Sequence, residues 1–62
     1  MRIAAETIII YRTIETDTYE EILEAGIILL KEGFYPINSI LKTENTYANT
    51  YSQEFRKSIN IN

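Results

Sequence analysis

Thr18-Tyr19-Glu20-Glu21 opens, and Gly33 closes, a stretch whose pattern leaves little freedom in what it forms. Thr18 with Glu21 three residues later is a capping box, in which each side chain satisfies a backbone N–H that the first helical turn leaves unpaired. Asp17, Glu20 and Glu21 put negative charge where the helix dipole favours it, and Lys31 puts positive charge in the last turn. Gly33 supplies the left-handed residue on which many helices end. The spacing therefore predicts a helix over Tyr19–Glu32. Ile22, Leu23, Ile27 and Leu30 make its ordinary apolar stripe, and Ile28 and Leu29 widen that stripe nearly all the way round in the last two turns. Such a helix has to be covered on more than one side. Gly26 in its interior costs about 1 kcal/mol relative to alanine and marks a close approach to another helix or strand.

A chain of 62 residues has little else with which to wrap that helix. One domain of this size buries only about 60% of the surface its unfolded chain exposes. There is no cysteine or histidine, hence no disulfide and no zinc site, so tight packing or self-association has to compensate. A homodimer is the expected cover, with Ile22, Leu23, Ile27 and Leu30 as its core. The same absences exclude cysteine nucleophiles, histidine acid–base chemistry and Ser-His-Asp triads. Glu20 and Glu24 are paired acids at helical spacing with no histidine to support a metal, and there is no Gly-rich phosphate loop. No catalytic residue, metal or cofactor is expected, and the chain reads as a non-enzyme. No run of apolar residues exceeds four, too few to span a membrane, and a start of Met1-Arg2-Ile3 followed by Glu6 lacks a leader's apolar core, which points to the cytosol.

Thr7-Ile-Ile-Ile-Tyr-Arg-Thr-Ile14 is dense in β-branched and aromatic residues and reads as a strand. Alternation puts Ile8, Ile10, Arg12 and Ile14 on one face and Ile9, Tyr11, Thr13 and Glu15 on the other. With apolar groups on both, the strand is covered on both sides or paired along an edge. After Gly33, Pro36 suits a first helical position, and Ile37, Ile40 and Leu41 have helical spacing, so a short second helix is expected. Thr43–Asn49 reads as a loop. Thr50 with Gln53 is a second capping-box candidate, and Tyr51, Phe55 and Ile59 recur at intervals of four, which predicts a third helix over Tyr51–Ser58, with Asn60–Asn62 fraying. The expected fold is a single α+β domain over residues 1–62: an N-terminal strand, a long central helix and two shorter helices, as an intertwined or helix-packed homodimer.

Nine acids against six bases give a net charge of −3. Asp17, Glu20, Glu21 and Glu24 lie in a stretch without a base between Arg12 and Lys31, and are the candidate contacts for a basic protein surface. Tyr35, Tyr47 and Tyr51 are further candidates, since tyrosine supplies contact area at low entropy cost. Arg12, Arg56 and Lys57 are the candidate contacts for nucleic acid, a partner the acidic balance disfavours. The expected function is that of a small acidic regulator or inhibitor that binds another protein; its size and acidity fit one encoded by a phage or mobile element. The alternative is a DNA-binding repressor.

Leu30-Lys-Glu-Gly-Phe-Tyr-Pro-Ile-Asn-Ser-Ile40 resembles the helix–Gly–aromatic–x–Pro–Ile–Asn turn of the IreB family, small dimeric regulatory phosphoproteins of Gram-positive bacteria that act with a Ser/Thr kinase and phosphatase pair. Glu6-Thr7-Ile8 is similar to that family's phosphoacceptor region, and the resemblance implies Thr7 as the phosphosite. The order strand, helix, Gly turn, then Asn38-Ser39-Ile40 also resembles ribbon-helix-helix repressors, which as dimers read the major groove with a two-stranded ribbon.

Overall fold

The computed structural model describes residues 5–61; the first residues, on which the cytosolic reading rests, and Asn62 lie outside them. Thr7–Thr16 forms strand β1, two residues longer than its sequence pattern alone required. Helix α1 follows over Tyr19–Lys31. Thr18 caps it as expected, its hydroxyl accepting from the Glu21 N–H at 3.2 Å. At the other end Phe34 N–H donates to the Leu29 carbonyl and Gly33 N–H to that of Leu30, with Gly33 at φ 95°. That is a Schellman ending, and its apolar contact is made by Leu29 and Phe34, both buried in the core. Lys57 completes the end by donating to the Glu32 carbonyl at 2.6 Å.

From Gly33 onward the structure departs from the expected helices. Tyr35–Pro36 forms a two-residue strand β2, Leu41–Glu44 forms β3, and Asn49–Asn60 forms a long strand β4. One helix and a four-stranded antiparallel sheet replace the expected strand, long helix and two shorter helices. β4 is the centre of the sheet. β1 lies along one edge of it, from Thr7 opposite Asn60 to Thr16 opposite Tyr51. β2 and β3 share its other edge, Pro36 opposite Phe55 and Leu41 opposite Ser52. Since β1 and β2 are both antiparallel to β4, the first half of the chain is a split β-α-β unit with β4 inserted between its strands.

Each correction has a physical reason. Tyr51, Phe55 and Ile59 recur at four, but four is also twice the strand period, so Gln53 and Lys57 join them on one face. Thr50 is no helix cap; it pairs with Thr43 inside the β3–β4 hairpin. Thr43–Asn49 is therefore only partly a loop: Asn45 turns the hairpin by accepting the N–H groups of Tyr47 and Ala48 on its side-chain oxygen. Pro36 uses its other favoured position, on a sheet edge. Beyond it Ile37 N–H donates to the Glu54 carbonyl, while the Asn38 side chain accepts from Glu54 N–H and its carbonyl from the Gln53 amide. Those bonds tie the segment expected to be a second helix to the edge of β4. Asn60 is paired rather than frayed.

The core lies between α1 and the sheet: Ile22, Leu29, Phe34 and Phe55 are buried, with Ile10 and Ile14 packed at its border. Gly26 makes the close approach its position implied, with the Phe55 ring against it. The helix consequently settles on the line Ile22–Gly26–Leu29, and not on Leu23, Ile27 and Leu30.

Candidate protein-binding surface

Rolling α1 onto its glycine leaves Leu23, Ile27 and Leu30 44%, 54% and 51% exposed. Beside them the sheet is thin, because β2 is two residues long and the chain between β2 and β3 loops out at Ile40. The gap is a groove of about 230 Å³, walled by Leu23, Ile27 and Leu30 on one side and Pro36 and Ile40 on the other. Phe55 and Gly26 lie at its floor, and Gln53 is the one polar side chain in the lining. Ile37 and Leu41, both exposed, stand opposite Glu54 and Ser52 on the sheet face away from the helix and take no part in it.

Charge borders this groove on the helix side. Glu20 and Glu24 precede Leu23 and Ile27 by three residues each, which makes them surface neighbours on successive turns. Glu21 belongs to the opposite flank, with Ala25 and Ile28, and Asp17 precedes the cap. All four acids are exposed. Among the described residues the ion pairs are Arg12–Glu32 at 3.4 Å and Lys42–Glu44 at 3.2 Å, so the helix-start acids have no cationic partner there. The Glu44 hydrogen bond holds the Lys42 ammonium above its ordinary pKa, with the charges of Tyr51 and Glu44 adding to it.

The other predicted site residues are dispersed. Tyr51 packs edge-to-face on Tyr19, ring centres 5.8 Å apart, under the start of α1. Tyr47 is 97% exposed at the hairpin tip, and Tyr35 lies on the sheet face away from the helix, opposite Arg56. Of the expected dimer core, Ile22 belongs to the chain's own interior and the other three wall the groove. Arg12, Arg56 and Lys57 do not form one basic patch. The Arg12 guanidinium and the Lys57 ammonium lie 4.9 and 5.6 Å from the centre of the Phe34 ring, on the helix side, and both bond to Glu32. Arg56 is on the other face, between Tyr11 and Tyr35. Thr7 begins β1 and its exposed hydroxyl donates to the Asn60 side chain at 3.2 Å. Pro36 and Ile40 as a groove wall were missed; their spacing read as helical, and only the short reach of β2 exposes them.

Comparison with known proteins finds no matching family profile, no matching characterised protein and no matching solved structure. The IreB and ribbon-helix-helix resemblances accordingly rest on the quoted residues alone. No helix among the described residues is long and apolar enough to cross a membrane.

Proposed function

We propose that this chain is a small non-enzymatic regulator that acts by binding another protein, and that the groove beside α1 holds an apolar segment of that partner flanked by basic residues. The observation that carries this reading is the pairing of an open apolar groove with Glu20 and Glu24 on its border, acids that no cation of the chain neutralises among the described residues. Apolar anchors in a pocket supply most of the energy of such contacts, while charges at the rim steer encounter and choose the partner. The lining has no titratable side chain, which suits a surface that holds a ligand rather than one that transforms it. Arg12 and Lys57 are occupied at the end of α1, which weakens the claim of nucleic acid on the same chain.

A designed amphipathic peptide with a leucine face and lysine flanks tests the reading without knowledge of the natural partner. Titrated into labelled protein, it should shift the methyl resonances of Leu23, Ile27, Leu30 and Ile40 and leave those of Ile9 unmoved. Reversing Glu20 and Glu24 to lysine should weaken binding at least several-fold, the effect shrinking as salt screens the charges. A glutamate-flanked peptide with the same leucine face should bind more weakly than the basic one. Shifts confined to the other sheet face, or equal binding of the two peptides, would exclude the groove as a site for a basic partner.

A further inference from the structure

Among the described residues β1 is an edge strand. Glu6 accepts from Ile61 across the ladder, so in the alternation of a strand the even-numbered residues bond to β4 and the odd-numbered ones point their N–H and C=O groups away from it. Thr7, Ile9, Tyr11, Thr13 and Glu15 therefore present two backbone groups each along an open edge, with no proline or bulge to blunt it. Natural sheets seldom leave so long and apolar an edge uncovered. The molecule is also extended for its size. Its radius of gyration is 15.4 Å, against about 11 Å for a compact domain of this length. Its accessible surface is 5068 Å², roughly 900 Å² more than a compact monomer of 7.2 kDa shows, close to what one partner contributes to an ordinary interface.

We infer that β1 pairs antiparallel with β1 of a second copy of this chain, across a two-fold axis at Tyr11, to make one continuous sheet with both helices on the same side. The register follows from the side chains. Centred on Tyr11, all five outward residues find a partner within the strand: Tyr11 with itself, Ile9 with Thr13, Thr7 with Glu15. On the helix side Ile8 then meets Ile14 and Ile10 meets Arg12, and no like charges stand opposite one another. Centring the pair on Arg12 would oppose two guanidinium groups. Centring it on Ile10 would set Glu6 against Ile14 and carry Glu15 beyond the strand to Ala5.

The helices support the same arrangement. α1 rests on β1 and β4 and reaches β2, so with strands about 4.8 Å apart the two copies of α1 would lie side by side about 10–14 Å apart, with room for the side chains on their facing flanks to meet. Ile28, 58% exposed on the helix flank opposite the groove, would face that junction. The inference does not depend on the proposed function. The groove takes its far wall from Pro36 and Ile40, on the opposite edge of the sheet, so both grooves of the pair stay open.

The full chain has no cysteine, so single introduced cysteines report the register cleanly. Directly opposed residues of a hydrogen-bonded pair have Cα atoms about 5.5 Å apart, within disulfide reach. Tyr11→Cys should give a reducible covalent dimer on mild oxidation at micromolar concentration, whereas Thr13→Cys, equally exposed but about 13 Å from its own copy, should not. Light scattering of the unmodified chain should give twice its 7.2 kDa mass. Thr13→Pro removes an outward N–H without touching the β1–β4 ladder, and should give a monomer that keeps the helical signal. A monomer at every accessible concentration overturns the inference. So does a dimer that crosslinks through Thr13→Cys instead of Tyr11→Cys, or one that Ile27→Asp dissociates and Thr13→Pro does not. If Thr13→Pro does not fold, the two cysteine variants still decide.

Discussion

One glycine lies inside α1 and the other just past its end, and substitution should move stability in opposite directions. A methyl group at Gly26 would meet the Phe55 ring at 3.4 Å, ordinary contact distance, while removing the entropy that glycine costs in a helix. Gly26→Ala is expected to raise stability by up to about 1 kcal/mol, read as a higher melting temperature. At Gly33, φ is 95° and an added Cβ would come within 3.3 Å of Lys57 Cε, the side chain that caps the helix end. Gly33→Ala should cost about 1–2 kcal/mol, the penalty of left-handed backbone. A destabilised Gly26→Ala would mean that the helix cannot accommodate even that contact, and a neutral Gly33→Ala that the Schellman ending contributes little. Both positions were legible in the sequence, because a glycine after the last helical turn marks a stop and a glycine inside a helix marks a close approach, although only Gly33, at φ 95°, requires the absent side chain.

At the scale of elements, legibility ended where periods coincide. β1 and α1 each carry many residues of one pattern, and the Thr18 cap and the Gly33 stop agree with the helical period of α1. β4 does not distinguish itself in this way: Tyr51, Phe55 and Ile59 fit either period, and Thr50 with Gln53 imitates a cap. What decides is the partner. The ten residues of β1, seven of them β-branched, need a ladder, and β4 supplies it along the whole length of β1. The groove was not legible for the same reason, since it depends on how far β2 reaches along β4. Helix and sheet meet at Phe55, 1% exposed and set against Gly26. Phe55→Ala should cost about 3–5 kcal/mol. Total stability for a chain this short is roughly 3–9 kcal/mol, so chemical denaturation should find that this variant has lost half or more of it. Asn38→Ala tests the edge segment separately. It removes the acceptor for Glu54 N–H where water can replace it, and should cost no more than about 1 kcal/mol while loosening the Pro36–Ile40 wall.

At the scale of the molecule, four buried large side chains among the described residues are few, and much of the apolar surface stays on the outside, along the helix flank and the open edge. Pairing through β1 would move a share of that surface inside and tie folding to association. In that case the melting temperature must depend on protein concentration, because unfolding of a pair releases two chains and mass action favours the pair as concentration rises. A tenfold increase shifts the balance by about 1.4 kcal/mol per pair. Spread over the unfolding entropy of two 62-residue chains, that is a rise of about 5 °C per tenfold increase. Thr13→Pro should melt lower than the parent chain and at a temperature that no longer changes with dilution. Ile27→Asp, which alters the groove and leaves the β1 edge intact, should keep the concentration dependence. A parent chain whose melting temperature is the same across a hundredfold dilution folds alone, and its edge strand is then protected by something other than a second copy.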